Sequence, residues 1–236
     1  MNELRSALNQ LNINYEEETI EKFNQYMEEV LEWNEKVNLT AITDRDEFVK
    51  KHYIDSISCV QFDEYKDAKK IIDVGTGAGF PGVPLALLSP DKEFLLMDSL
   101  NKKIKIVDEI CQKVGIANVK VLHGRAEEVA MKKEYREQFD MCVVRAVANL
   151  TVLSEYCLPF IKLGGYMLAY KGPDSDNEIQ SASKAIKVLG GEIVKIEKVK
   201  LDNFLVDHRI LFIKKIKKTP AKFPRKAGTP TKDPIK

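Results

Sequence analysis

The sequence predicts an α/β fold, in which a mostly parallel sheet closes on an antiparallel terminal strand and is preceded by an N-terminal helical segment. Three observations carry this prediction. Apolar residues recur at helical spacing before residue 65, and short apolar runs alternate with helical stretches from residue 70 onward. The last two runs lie too close together for a crossover helix, so they must pair antiparallel.

Taken in order, the first element lies between Asn14 and Val37. There Phe23, Met27, Val30 and Val37 recur every three, four or seven residues while glutamates fill the other positions, which makes an amphipathic helix. Thr43, with Asp46 three residues on and Phe48 beyond, signals a second start, for a helix running through His52 to about Val60. The runs KIIDV (70–74), FLLMD (94–98), VKVLHG (119–124), FDMCVV (139–144) and GGYMLAY (164–170) read as strands, with NKKIKIVDEICQKVG (101–115) as a helix between them. GGEIVKIEKVKL (190–201) and DHRILFIKKIKK (207–218) complete the sheet. Residues 1–65 are therefore expected to be a helical extension packed on the core, 66–216 the α/β domain, and 217–236 a basic Pro/Lys-rich tail.

A chain of 236 residues that is 44% hydrophobic can bury one substantial core. Its net charge of +1 hides an asymmetry: residues 214–236 carry eight Lys and Arg225 against Asp233 alone. With Pro220, Pro224, Pro230 and Pro234 interrupting any helix, the tail is expected to be either a solubilising disordered end or an extended arm for polyanions. No stretch approaches the roughly 20 apolar residues of a membrane span, and no signal region opens the chain, so a cytoplasmic, membrane-free monomer is expected. The four cysteines show no CxxC spacing and the three histidines no HxxxH, so buried structural thiols and no metal site are expected.

The segment DVGTGAGFPG (73–82) is the candidate ligand loop. Its pattern Gly77-x-Gly79-x-x-Gly82 matches a dinucleotide fingerprint, and glycines there let the backbone approach a ligand at the strand's carboxyl end. Asp98, 21 residues beyond Gly77, either accepts hydrogen bonds from ribose hydroxyls or caps the DSLNKK turn. An NAD enzyme would share both features. Asp73 just ahead of the loop argues against a pyrophosphate and for a cationic ligand such as a sulfonium. The chain also leaves no room for the separate substrate domain of a dehydrogenase.

These residues resemble the class I S-adenosylmethionine-dependent methyltransferases, through IIDVGTGAGFPG, the acidic end of FLLMD, FDMCVVRAV and LPFIKLGGYMLAYKG. More narrowly, EKVNLTAI (35–42), KHYIDSI (51–57), RAVANL (145–150) and FPRKAGTPTKDP (223–234) resemble the small-subunit ribosomal RNA methyltransferase G family, formerly glucose-inhibited division protein B. The resemblance implies a Rossmann-like seven-stranded fold and transfer of methyl from S-adenosylmethionine to guanine nitrogen-7 in 16S ribosomal RNA. It also implies cofactor contacts at Gly75, Phe80, Ala126, Glu127 and Arg145, to which the physical argument adds Asp73, Gly77 and Asp98. Ala78 stands where some relatives have proline.

Arg145 is the side chain expected nearest the reaction, with Glu155 as its competing salt-bridge partner, and Lys171 at another strand's carboxyl end is expected either to join it in holding the guanine carbonyl or a flanking phosphate or to be an exposed strand end. His52 and Asp55, three apart on one helix face, are either an acid or RNA contact or a half-buried hydrogen-bonded pair. Asn38 is either a loop cap or part of the acceptor pocket, and Lys222, Arg225 and Lys226 are the expected RNA contacts of the tail. Tyr26 and Trp33, at helical spacing, are expected in the core. An NAD oxidoreductase and a non-enzymatic RNA-binding module are the competing readings.

Overall fold

The computed structural model describes residues 1–145, 147–199, 201, 204 and 208–236, and Ala146 beside Arg145 lies outside them. The N-terminal segment contains helices α1 (Asn2–Gln10) and α2 (Glu17–Asn34). Helix α2 buries Ile20, Phe23, Tyr26, Met27 and Val30 along one stripe, while Glu17 and Glu18 in its first turn face the positive end of its dipole. The short α3 (Arg45–Phe48) then passes through a π-helical segment (Val49–Ile54) into α4 (Asp55–Ile57). The cap of α3 is Asp44, whose side chain accepts the Glu47 N–H, rather than the expected Thr43. The π segment also changes the angular relation of His52 to Asp55 from that of an ideal helix, a shift periodicity does not reveal.

Helix α5 (Asp63–Asp67) leads into the sheet, whose seven strands run in the order β3-β2-β1-β4-β5-β7-β6. The strands are β1 (Lys70–Val74), β2 (Glu93–Asp98), β3 (Val119–His123), β4 (Phe139–Arg145), β5 (Ile161–Lys171), β6 (Gly191–Lys198) and β7 (Arg209–Lys215). The first five are parallel, with Lys70 opposite Glu93 and Ile71 opposite Met141. The terminal strand β7 is antiparallel to both β5 and β6, lying between them. Burial explains the order: in β1 only Lys70 is partly exposed, whereas β6 at one edge alternates inward and outward residues.

Helices α6 (Gly82–Leu88), α7 (Asn101–Val114), α8 (Ala126–Val129), α9 (Leu150–Cys157) and α10 (Asp176–Val188) cover the two faces. Side chains from Leu4 through Ile57 join Ile71, Leu96 and Phe212 in one continuous core, so the helical segment closes one face of the sheet. A second core on the opposite face gathers Ile72, Cys142, Leu153 and Leu211. All four cysteines are buried and free.

The chain runs outward from β1 to β3 and then returns to place β4 on the other side of β1. That reversal opens a crevice at the carboxyl ends of β1 and β4, the place where open α/β sheets hold their ligands.

The tail does not extend from this body. Phe223 and Ile235 pack in or against the second core, Pro230 is buried, and a short helix α11 (Thr229–Lys232) lies against α9. Apolar residues between the prolines supply the burial that the charge count conceals.

Candidate active site

The ligand loop is built from its own carboxylates. Asp73 is fully buried at the end of β1 and accepts hydrogen bonds from Thr76 Oγ1 at 2.6 Å and Gly82 N–H at 2.8 Å. The position of Asp73 in the sequence places this charge beside the ligand; the structure turns it into the loop, which it holds closed. Burial raises its pKa to about 6, with those two donors and Arg145 pulling the other way. Among the described residues Asp73 Oδ1 has no hydrogen-bond partner. Asp98 Oδ2 accepts the Gly77 N–H at 2.9 Å and Oδ1 the Leu100 N–H at 2.8 Å, so the carboxylate caps the turn as well as facing the cleft.

Two glycines show why the loop needs them. At Gly79, φ is +88° and a Cβ would lie 2.3 Å from the Tyr26 hydroxyl, which donates to Ala78 O at 3.0 Å. At Gly77, φ is +59° and a Cβ would meet no atom within 4 Å, so this glycine borders open space. That open space, with Asp98 beside it, fits a ligand carrying ribose hydroxyls.

Two cavities meet at Gly75. The smaller, about 100 Å³, is walled by Asp98, Ser99, Arg125, Ala126, Glu127, Val147 and Tyr156. The larger, about 330 Å³, is walled by Thr40, Lys51, His52, Asp55, the 75–78 turn, Phe80 and Arg145. The first is made by the ends of β1, β2 and β3; the second is roofed by the helical segment.

In the larger lobe Arg145, at the end of β4, donates to the Asp55 carboxylate and to Lys51 O at 3.1 Å. Its guanidinium lies 5.7 Å from the Phe80 ring centroid, and Nη2 lies 3.5 Å from His52 Nδ1. His52 stacks flat on Phe80, with ring centroids 4.3 Å apart and planes 2° from parallel, and Nε2 pairs with Thr40 Oγ1 at 2.8 Å. Burial, reinforced by the Arg145 charge and opposed by Asp55, lowers the His52 pKa to about 3, so the ring is neutral near pH 7. Arg145 offers only donors, so Nδ1 is the acceptor and Nε2–H donates to Thr40.

Asp55 is pinned on both sides. Its other oxygen meets His208 Nδ1, whose ring Nε2 lies 3.1 Å from Ser58 Oγ. Burial pushes the Asp55 pKa up, but His208 and Arg145 outweigh this and hold it below the ordinary carboxylate value.

Several expected residues lie elsewhere. Glu155 is taken by Arg225 and leaves Arg145 to Asp55. Lys171 lines neither lobe; its ammonium bonds Ala148 O at 3.0 Å and Glu178 at 2.7 Å, tying β5 to the loop ahead of α9 and to α10. Asn38 is exposed, and the loop cap is Asn34, whose Oδ1 accepts the Leu39 and Thr40 N–H groups at 2.8 and 2.9 Å. Arg225 faces a buried carboxylate, whereas Lys222 and Lys226 are exposed. Tyr26 is buried in the core, as its spacing indicated. His208 carries no local signal, because its partner Ser58 is 150 residues away.

Among the described residues no three or more His, Cys, Asp or Glu side chains are arranged to hold a metal ion. No described helix is long and apolar enough to cross a membrane.

Known proteins match both the fold and the chain. An O-methyltransferase from Bacillus cereus in complex with SAH aligns with a TM-score of 0.57 at 18% identity, over 80% of this chain and 90% of that one. An O-methyltransferase family protein from Burkholderia thailandensis aligns with a TM-score of 0.55 at 10% identity, over 69% and 55%. At such identities the likeness concerns the fold alone. The ribosomal RNA small subunit methyltransferase G of Clostridium tetani is 50% identical over 99% of this chain and 98% of its own. That of Alkaliphilus oremlandii is also 50% identical over the same shares. The profile of the GidB family, rRNA small subunit methyltransferase G, matches residues 19–206. A match of that extent, with half of all positions shared along full-length relatives, means that the chain belongs to the rRNA small subunit methyltransferase G family.

Proposed function

We propose that this protein transfers the methyl group of S-adenosylmethionine to nitrogen-7 of a guanine in 16S ribosomal RNA. The cofactor lies in the lobe of Gly75, Asp98, Ala126 and Glu127, with Gly77 on the larger-lobe side of the shared turn, and the guanine enters the lobe of His52, Phe80 and Arg145. The observation that supports this most directly is the meeting of the two lobes at Gly75, where groups entering from opposite sides reach one another.

When bound, S-adenosylmethionine supplies an electrophilic methyl on its sulfonium. Nitrogen-7 of guanine has a free lone pair, so the protein needs no general base and works chiefly by positioning, which contributes about 7–11 kcal/mol in favourable cases. A neutral, hydrogen-bonded His52 suits that requirement. Arg145, aimed by Asp55, recognises the guanine O6 carbonyl and leaves nitrogen-7 free to react. The base must leave its stack to enter a cavity of about 330 Å³, so an unpaired or splayed guanine is the substrate. Lys51 at the cavity mouth and the exposed Lys222 and Lys226 supply phosphate contacts, while Arg225 is committed to Glu155. In this reading the enzyme works as a cytoplasmic monomer on 16S RNA or the small ribosomal subunit.

The test is transfer of labelled methyl from S-adenosylmethionine to small-subunit particles lacking their native marks, followed by chemical cleavage at 7-methylguanine. A single cleavage in 16S RNA that disappears with Arg145→Ala is expected. Label at several sites, or at another atom of the base, would refute the assignment.

A further inference from the structure

The C-terminal tail reaches the wall of the smaller lobe. Arg136 anchors its start, donating to Thr219 O at 2.9 Å and Phe223 O at 2.8 Å. Arg225 then forks onto Glu155, with Nε 3.0 Å from Oε1 and Nη2 2.7 Å from Oε2, and its backbone N–H adds a third bond at 2.7 Å. Beyond it the chain turns at Gly228, where φ is +81°, and the Gly228 N–H donates to Glu127 Oε1 at 2.9 Å. Three residues later Thr231 Oγ1 lies 2.9 Å from the Tyr156 hydroxyl. Glu127 and Tyr156 are both wall residues of the lobe that contains Asp98.

Neither wall residue is held by its own element. Glu127 belongs to α8, which has only four residues and therefore little rigidity of its own. Glu127 is 6% exposed, and its carboxylate accepts a bond from the tail, 101 residues away in sequence. Tyr156, near the end of α9, bonds the tail hydroxyl in the same way.

We propose that residues Phe223–Thr231 form the outer support of the cofactor lobe, with Gly228 and Thr231 acting as positioning residues that aim Glu127 and Tyr156. This rests on reading the smaller lobe as the S-adenosylmethionine site. Docking of the tail and binding of cofactor then strengthen each other, since a coupling free energy acts equally in both directions. The tail is thus a component of the cofactor site, beyond any contact its lysines make with RNA.

The experiment begins with the full native chain and S-adenosylhomocysteine, with affinity measured by calorimetry and amide exchange followed across residues 223–233. Bound S-adenosylhomocysteine should slow exchange in that segment. Gly228→Pro, which removes the N–H and cannot adopt a positive φ, should weaken binding about fivefold or more. Thr231→Val should weaken it about twofold, as loss of one exposed hydrogen bond. Unchanged exchange in the native chain, or folded variants with native affinity, overturns the coupling while leaving the cofactor site in place. If Gly228→Pro does not fold, the exchange experiment on the native chain decides by itself. Absence of S-adenosylhomocysteine binding in the native chain overturns the cofactor-site reading, and the coupling with it.

Discussion

The two lobes of the cleft are built in different ways. The smaller rests on the ends of three adjacent strands, and its loop, Asp98 and Glu127 follow one another at the spacings a parallel sheet imposes. The larger is assembled from segments that meet only in the folded chain, with Arg145 reaching Asp55 across 90 residues. One lobe is therefore a property of the general fold. The other depends on the helical segment being packed onto it, and in the proposed reading that is where a particular acceptor is distinguished from others.

If that division is right, damage to one lobe should leave the other's function intact. Arg145→Ala is the sharpest case. Removing a preorganised charged donor from the larger lobe should lower methyl transfer on the order of 10³-fold. Affinity for S-adenosylhomocysteine should change much less, because Arg145 does not wall the smaller lobe. Equal losses of rate and cofactor affinity would show that the lobes act as one site.

Arg225→Ala tests the support behind the smaller lobe. It leaves Glu155, which is 1% exposed, without its forked partner. An uncompensated buried carboxylate costs about 3 kcal/mol, so the melting temperature should fall by several degrees. An unchanged melting temperature together with weakened RNA binding would restore the free basic arm that the charge pattern suggests. Asp98→Ala acts more locally. It frees the Gly77 and Leu100 N–H groups and removes the carboxylate beside the open space, and should weaken S-adenosylhomocysteine binding about 30-fold, near 2 kcal/mol.

The same division explains what sequence alone can disclose. The strands, the loop and Asp98 are legible because short-range geometry fixes them: KIIDV has to be a central strand, and the strand's end has to present the glycine turn. Arg145 is legible as the end of a strand, but its partner is not, since Glu155 and Asp55 are equally plausible until packing gives Glu155 to Arg225. Asn38 fails by four residues for a related reason: both asparagines suit a loop, and the chain's turn after α2 chooses Asn34. The tail is hardest to read because its signal is composition. Six lysines outweigh the few apolar residues that dock it, yet burial of Phe223 and Pro230 with a single forked ion pair sets its conformation.

His52 gives the most specific effect. Its native pKa is about 3 against an ordinary value of 6.5, so between those pH values the unfolded chain binds a proton that the folded chain does not. By linkage, this lowers stability as pH falls through that window, by at most about 1.4 kcal/mol per pH unit and by less for a ring that keeps some solvent contact. Asp73 works in the opposite sense. Its native pKa of about 6 exceeds the ordinary 3.8, so the folded chain holds the extra proton in that range and gains stability as pH falls toward 3.8. The two nearly offset each other where their windows overlap. His52→Gln should therefore uncover the Asp73 contribution, making the variant's stability, relative to the native chain, improve as pH is lowered from 6.5 to 4. In the native enzyme His52 should contribute no ionisation to the transfer rate near 6.5, because its neutral ring takes no proton there, and any change near 6 belongs to Asp73 and persists in His52→Gln. A titration near 6.5 that vanishes in His52→Gln would instead give this ring a proton-transfer role and would make the larger lobe more than a positioning device.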